Sequence, residues 1–384
     1  MLTINFKKWN IITGWLAFLI ALTVYTLTLE PTVSFWDAGE YIATSAKLEV
    51  GHPPGAPLFQ MLGAFAAMFA TAPDKIAAMV NWVSALSSAF AVLFMFWSAT
   101  NILMKVVKIG NEKLSNNTVI AVLGSCLIGA LTFTFSDTFW FSAVETEVYA
   151  MATFMLALLL WLGLRWIDAI DEPRGNKWLL LIALVVGMSF GVHFMALLAI
   201  PSIGYLYFFK KYPKVTVKNF IIANIVVVAV LLVVFGFLLP YTMIFFGKSE
   251  IFFVNSIGLP FNSGTIIAFV LLVGFFVFGL KYTREKKKHF ANTMILSVLF
   301  IFIGFSCWLM LPIRANTQIP INENKPSDAS ELVDYYNRVQ YGERSLFYDT
   351  YFTLKYDPVL DPAQPYKDGK VDYERDYTTG KYSI

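Results

Sequence analysis

The stretch SFWDAGEYIATSAKLEVGHPPGAP, residues 34–57, follows the first long apolar segment and decides how the rest of the sequence is interpreted. It places two acids, Asp37 and Glu40, where that segment should leave a bilayer, among aromatic residues that suit a membrane interface. If the residues from Tyr41 onward form a helix, both acids lie at its N-terminal end, where free N–H groups and the helix dipole favour anions. The acids are either a functional pair or only a helix cap and an interfacial anchor.

The composition predicts a polytopic membrane protein. The chain is 57% hydrophobic and 14% charged, with mean hydropathy +0.62, whereas a soluble domain is roughly 25% charged. The net charge of +3 is small and its basic residues lie in short loops, so membrane topology explains them better than nucleic-acid binding does. Cys126 and Cys307 both lie in apolar segments and indicate no disulfide framework. Lys7 and Lys8 precede an apolar run without a cleavage site, which favours a retained first span over a signal peptide.

We therefore predict an all-α integral membrane protein, a bundle of about nine spans with its N-terminus in the cytoplasm and its C-terminus outside. Short clusters of lysine and arginine set this orientation. Leu58–Ala72 is too short to cross, so we expect it to lie on or dip into the outer face. Seven of the predicted spans are Ile11–Leu29, Ile76–Met104, Thr118–Ser136, Val148–Ile167, Phe220–Phe246, Thr265–Leu280 and Phe290–Ile313.

The other two predicted spans lie in Trp178–Phe209, a continuous apolar stretch with lysines on both sides. Its length of about 32 residues gives about 48 Å of helix, whereas two full spans need about 60 Å. We expect a hairpin of two short helices, with Gly191–His193 at a tip at or below the outer surface and a cavity beside it.

The composition changes after residue 313, so we divide the chain into a transmembrane module, 1–313, and an external segment, 314–384. The module contains a first external loop, 30–75, and a second, 137–147. In the external segment, Ala329–Tyr341 could form a short amphipathic helix, and Tyr356–Ile384 resembles external loop. We expect the chain to be the front part of a longer protein.

Four groups of polar residues on the predicted outer side could carry chemistry. They are Asp37 with Glu40; Asp137 with Glu145 and Glu147; His193; and Arg314. Structural roles compete with each functional one: a hydrogen-bonded structural histidine, an arginine that snorkels to the interface, and acids at a solvated loop edge. Acids plus a cation around one outer cavity suit a general base and a phosphate clamp. Three histidines in all argue against a histidine-based metal centre, but a divalent cation held by carboxylates stays open.

Several motifs resemble one bacterial membrane family. They are FWDAGE (residues 35–40), GHPPGAP (51–57), VETEVYA (144–150), SFGVH (189–193) with LLAIP (197–201), and LPIRAN (311–316) with NENKPSD (322–328). That family is similar to the protein O-mannosyltransferase of plexin-type receptor domains, within the GT-C glycosyltransferases. The resemblance implies an enzyme of the bacterial inner membrane whose active site faces the periplasm. It would move a sugar, with mannose expected, from a polyprenyl-phosphate donor to Ser/Thr of exported proteins by an inverting mechanism.

The same resemblance implies residue roles. Asp37 would be the general base and Glu40 its acidic partner, while Arg314 and His193 would bind the donor phosphate. Asp137, Glu145 and Glu147 would form a second acidic cluster, and Gly39, His52, Pro53 and Pro54 would shape the first loop. No cofactor is required under this interpretation, and the partners are the donor, the acceptor protein and the bilayer, with a protein complex as a further option. Two alternatives stay open: a lipid or solute transporter, and a non-catalytic subunit of an export or assembly complex.

Overall fold

The computed structural model describes residues 4–108, 115–342, 371 and 373–384, and most of them are helical. Long apolar runs become helices because a helix satisfies every backbone N–H and C=O group within its own segment, as a lipid environment requires. The helices are α1 (Phe6–Leu27), α2 (Ala38–Lys47), α3 (Pro57–Ala67), α4 (Ile76–Lys108), α5 (Asn116–Thr134), α6 (Asp137–Val144), α7 (Val148–Ala169), α8 (Asn176–Ser189), α9 (Ala199–Lys211), α10 (Val217–Leu232), α11 (Leu239–Ile251), α12 (Ser263–Glu285), α13 (His289–Phe305), α14 (Met310–Ala315) and α15 (Ala329–Asn337).

Seven helical segments in the described part of the chain are long and apolar enough to cross a membrane. They are Phe6–Leu27, Pro73–Val107, Asn116–Thr134, Val148–Ala169, Val217–Ser256, Ser263–Glu285 and His289–Ala315. Each coincides with one of the seven long predicted spans, which confirms an all-α polytopic membrane protein. The count of about nine adds the two helices of the hairpin, and these are shorter than a full span.

The predicted hairpin is present as α8 and α9, separated by a break and a short 3₁₀ turn, Phe194–Leu198. Its tip is tied to the first loop, because the carbonyl of Gly191 accepts hydrogen bonds from the backbone N–H groups of Leu58 (2.8 Å) and Phe59 (3.3 Å). These N–H groups belong to the first turn of α3, where no partner within the helix exists. The tip of the hairpin therefore caps α3. Helix α3 has 11 residues, which is consistent with the prediction that this segment is too short to cross the membrane.

Two hydrophobic clusters form the core. One lies among α1, α4, α5 and α6, and the other among α7, α8, α9, α11, α13 and α15. Helix α7 packs against α4 on one side and against α8 and α9 on the other, so it joins the two clusters. Helices α8 and α13 approach closely at Gly304, where any side chain would strike the backbone of Leu184 and Met188.

The described residues after α14 form more regular structure than the sequence predicts. The amphipathic helix is confirmed as α15, which begins with a capping box in which Asp328 and Glu331 each accept a bond from the other's backbone N–H. The expectation of loop over 356–384 is wrong at its end. Strands β1 (Glu374–Asp376) and β2 (Lys381–Ser383) form an antiparallel hairpin there, whereas residues 356–370 and 372 lie outside the described residues.

The C-terminal hairpin has partners in the bundle that its sequence does not reveal. The Asn255 side chain donates to the Tyr382 carbonyl (2.9 Å) and accepts from the Tyr382 N–H (2.8 Å), in the manner of a neighbouring strand. A short hairpin alone is marginal in water, so this contact with the bundle explains its order.

The orientation of the bundle yields a labelling prediction. Single cysteines at positions 37, 137 and 339, which are exposed in the structure, should react with a membrane-impermeant thiol reagent in intact cells, and cysteines at 113 and 287 should be protected. Position 113 lies outside the described residues, and the native Cys126 and Cys307 must first be replaced. Protection of position 37 would contradict the arrangement.

Candidate functional site

The first loop forms the helix that its sequence predicts. Helix α2 begins at Ala38, so Asp37 stands at its N-cap and Glu40 in its first turn. The Asp37 carboxylate makes no capping hydrogen bond, and 58% of its side chain is exposed. Trp36 before it has a φ of 62°, which turns the chain sharply. Asp37 is therefore not simply a helix cap, because its carboxylate is exposed and makes no capping hydrogen bond.

Glu40, in contrast, is fully engaged by His52. Its Oε1 accepts a hydrogen bond from the backbone N–H of His52 (2.6 Å), and its Oε2 lies 2.9 Å from the ring Nδ1. Gly51 permits this approach, since a Cβ there would collide with Oε1 of Glu40. Burial raises the pKa of Glu40, but the hydrogen bonds from His52 outweigh it and hold the pKa below its usual value. Glu40 is therefore an ionised carboxylate that holds the turn.

His52 lies between the two acids of the loop. Its Nε2 is 3.9 Å from Oδ2 of Asp37, while its Nδ1 contacts Glu40. The hydrogen bond to Glu40 raises the pKa of His52; burial opposes that shift, and the charges of Glu40, Asp37 and Glu323 add to it. The sequence assigned His52 only to shaping the loop, so the structure gives it a more central position.

Glu147 of the second loop joins the first-loop acids. It stands before α7 and is 7% exposed. Burial raises its pKa to about 7, and the negative charges of Asp37 and Glu145 contribute to the shift. The charges of Glu147, Glu40 and Asp37 also act on the buried phenol of Tyr41, whose pKa rises chiefly through burial. The proximity predicted for the two acidic groups therefore holds for Glu147.

The other two acids of the second loop differ in their exposure to solvent. Glu145 is 4% exposed, and burial raises its pKa, with the charge of Glu30 adding to the effect. Asp137 is exposed at the first position of α6. The charge of Glu145 acts on Glu147, which links Glu145 indirectly to the group around Asp37. Their assignment to the site stays a prediction.

The external segment contributes two residues that the sequence analysis did not assign. Glu323 acts electrostatically on both Glu40 and His52, and it is positioned by a parallel bridge between Val50 and Asn322. The Tyr335 hydroxyl donates to the carbonyls of Gly51 and of His52 (3.2 Å) and is buried. Glu323 lies in the NENKPSD motif, which was a usable signal. Tyr335 carried no signal, because its pairing with a loop 284 positions earlier depends on the fold.

The two predicted phosphate ligands lie in different settings. His193 is at the hairpin tip, where its Nδ1 accepts from the Met195 N–H (3.1 Å) and its ring is 5.3 Å from that of Tyr149. The positive charge of Arg338 acts on His193. Arg314 instead donates from Nε to the Leu48 carbonyl (2.5 Å) and from Nη2 to the Lys47 carbonyl (3.1 Å). It therefore caps the C-terminal end of α2.

Comparison with known proteins shows what the part of the chain that holds much of this site is similar to. Residues 37–216 match the family model of the protein O-mannosyl-transferase TMEM260 N-terminal domain. The matched region begins at Asp37 and includes Glu40, His52 and Glu147, whereas Arg314 lies beyond its end.

Two curated relatives match part of this chain. Protein O-mannosyl-transferase tmem260 of Dictyostelium discoideum is 29% identical over 158 residues, which are 41% of this chain and 17% of the relative. Protein O-mannosyl-transferase TMEM260 of Mus musculus is 28% identical over 169 residues, 43% of this chain and 21% of the relative. The chain thus matches about a fifth of the length of these relatives. No solved structure matches it.

The raised pKa of Glu147 predicts a pH-dependent stability. The folded protein binds a proton more tightly than the unfolded chain, so this contribution is fully present below about pH 4.5 and is lost as the pH rises through about 7. We expect Glu147→Gln to unfold at a higher temperature than wild type at pH 8. The difference in unfolding temperature between the two proteins should be smaller at pH 5. Equal pH dependence of both proteins in thermal unfolding would contradict the shift.

The capping role of Arg314 is tested by Arg314→Gln. The variant loses two hydrogen bonds to the end of α2, and charged hydrogen bonds are worth about 1.5–3 kcal/mol each. We expect a lower unfolding temperature in detergent, with Arg284→Gln, an exposed site on α12, as the matched control. An unchanged unfolding temperature combined with lost donor binding would show a phosphate ligand instead of a cap.

Proposed function

We propose that this chain is a membrane O-mannosyltransferase that moves mannose from a polyprenyl-phosphate donor to Ser/Thr hydroxyls of exported proteins. The observation that carries the proposal is the exposed Asp37 carboxylate, set beside His52 and Glu147 in a domain whose curated relatives are named protein O-mannosyl-transferases. A GT-C-like arrangement, with spans that hold outer loops, is part of the same proposal.

Asp37 is the proposed general base. Its carboxylate accepts the proton of the acceptor hydroxyl as that oxygen attacks the anomeric carbon, and the bond from that carbon to the lipid phosphate breaks with inversion. Its exposure supports the assignment, because a protein hydroxyl must reach the carboxylate from outside. Asp37 acts late in the step, when the attacking oxygen has become acidic.

Glu40 has a supporting role in this mechanism. Both of its oxygens accept hydrogen bonds from His52, so taking a substrate proton would cost it those bonds. We propose that Glu40 fixes the turn and the position of His52. These bonds support Asp37 over Glu40 as the base, in line with the roles that the family resemblance implies.

The departing lipid phosphate needs cationic or donor groups. We propose that His193 supplies one at the hairpin tip, with the charge of Arg338 close to it. Because Arg314 already donates to two carbonyls, it is the weaker candidate. The short helices α8 and α9 are the proposed place where the polyprenyl tail enters from the bilayer.

We propose that transfer requires no cofactor. Ligand atoms of Asp37, Glu40 and His52 lie within 4.8 Å of one another, an arrangement that raises the question of a divalent cation. However, Glu40 and the Nδ1 of His52 are engaged with each other, which suits proton chemistry. We propose that the protein lies in a bacterial inner membrane with its site facing the periplasm. Assembly with a larger protein complex is a further option within this proposal.

The decisive variants are Asp37→Asn and Glu40→Gln, assayed for transfer of labelled sugar from a polyprenyl-phosphate donor to a Ser/Thr peptide. Asp37→Asn keeps the size of the side chain but cannot take the proton, so turnover should fall about 10²–10⁴-fold while donor binding persists. Glu40→Gln should lower turnover less, because it removes the negative charge that interacts with His52 but leaves the base, Asp37, in place.

Asp74→Asn is the matched control, since it removes an exposed acid of the first external loop that pairs with Lys75 and belongs to none of the groups assigned to the site. Full turnover by Asp37→Asn and Glu40→Gln would exclude this pair as the catalytic centre and favour Glu145 and Glu147. Lost turnover on addition of a chelator would establish a divalent cation. Transport activity without transfer would favour the transporter alternative.

A further inference from the structure

His52 occupies a position that loop shaping alone does not explain. Glu40 from α2 contacts its Nδ1, and Asp37 faces its Nε2. Glu323 from the external segment acts on it electrostatically, and the Tyr41 ring lies 5.7 Å from its ring. Charged groups from the first loop and the external segment thus surround one imidazole.

The backbone of this turn is held without the imidazole ring. The Tyr335 hydroxyl donates to the Gly51 and His52 carbonyls, and the His52 N–H donates to Glu40 (2.6 Å). These three bonds would persist with almost any side chain at position 52. The contact between the ring and Glu40 therefore serves the orientation of the ring.

That contact also sets the tautomer. Because Nδ1 lies 2.9 Å from a carboxylate, its proton is the one retained in the neutral ring, and the lone pair falls on Nε2. Nε2 faces the Asp37 carboxylate at 3.9 Å. A small rotation of the exposed Asp37 side chain, which no capping bond restrains, brings the two atoms within hydrogen-bond distance.

We propose that His52 is a second proton-handling residue of this site, which Glu40 orients and which takes from Asp37 the proton of the acceptor hydroxyl. The proposal rests on the proposed transferase function. It extends that function to a chain of three side chains, Glu40, His52 and Asp37. A carboxylate that orients an imidazole, which in turn serves the reacting group, is a recurrent arrangement of proton-transfer sites.

The proton balance of the step is complete. The acceptor O–H bond breaks as the bond from oxygen to the anomeric carbon forms, the bond from that carbon to the lipid phosphate breaks and the phosphate leaves as an anion, and the proton passes to an Asp37 oxygen. It then moves to Nε2 of His52, which becomes an imidazolium paired with the ionised Glu40. His52 is 22% exposed, so water removes the proton and restores both groups for the next turnover.

The direction of the His52 pKa agrees with this role. The hydrogen bond to Glu40 raises the pKa above its ordinary value of 6.5, with burial opposing it and the charges of Glu40, Asp37 and Glu323 adding to it. Neutral His52, the form that can take a proton, is therefore lost as the pH falls through a value above 6.5. Glu147 also titrates in this range, with a pKa of about 7, so the test must separate the two residues.

The separating variant is His52→Asn. Asparagine places an amide N–H near the position of Nδ1, where it can keep the bond to Glu40, but it has no atom at Nε2. We expect turnover at pH 7 to fall about 10-fold or more. The loss of turnover at low pH that is attributable to His52 should disappear from the pH profile, both in the otherwise wild-type protein and in a Glu147→Gln background. The matched control, His289→Asn, alters an exposed histidine at the start of α13 and should retain wild-type turnover. Wild-type turnover and an unchanged pH profile for His52→Asn would overturn the proposal.

A second measurement does not depend on activity. The chain has three histidines, so NMR titration of histidine-labelled protein in detergent can follow His52 once His52→Asn assigns its signal. We expect both Glu40→Gln and Asp37→Asn to lower the His52 pKa. A pKa unchanged by Asp37→Asn would overturn the coupling. Absence of transfer by the wild-type protein at every pH would overturn the transferase function, whereas this titration still decides whether His52 and Asp37 are coupled.

Discussion

The two hydrogen bonds that Glu40 accepts from His52 fix the form of the first loop, and the rest of the site depends on them. They join the first turn of α2 to the turn at residues 51–55, and they leave Asp37 as the acid whose carboxylate is exposed. An ionised carboxylate with two donors is stable at half burial because its charge is compensated. The same bonds set which ring atom of His52 faces Asp37, so one local contact determines both the accessible base and its neighbour.

Three distant parts of the chain hold this loop in place. The tip of the hairpin between α8 and α9 accepts the free N–H groups of α3, Arg314 caps the end of α2, and Tyr335 binds the turn around Gly51. Each contact satisfies a backbone group that would otherwise be unpaired at a loop or helix end. The external segment is therefore part of the architecture of the first loop, although it lies beyond residues 37–216, the region that the family model matches.

The sequence predicted the features that depend on local pattern. Apolar runs gave the spans, lysine clusters marked the hairpin, and the position of Asp37 and Glu40 before an amphipathic segment placed them at the start of α2. It missed what depends on long-range packing. Arg314 was expected to bind phosphate, because no local pattern shows that α2 ends beside it. His52 was assigned to the turn, because its relation to Asp37 and Glu323 exists only after the external segment folds over the loop.

The proposed function joins these observations into one account: a soluble hydroxyl and a membrane-bound sugar donor meet at Asp37, on the outer face of the bundle. The most direct test offers the purified chain in liposomes labelled mannose either on polyprenyl phosphate or on a nucleotide, with a Ser/Thr peptide as acceptor. The account predicts label on the peptide from the polyprenyl-phosphate donor and none from the nucleotide donor. Label from the nucleotide donor alone, or no label from either donor, would contradict it.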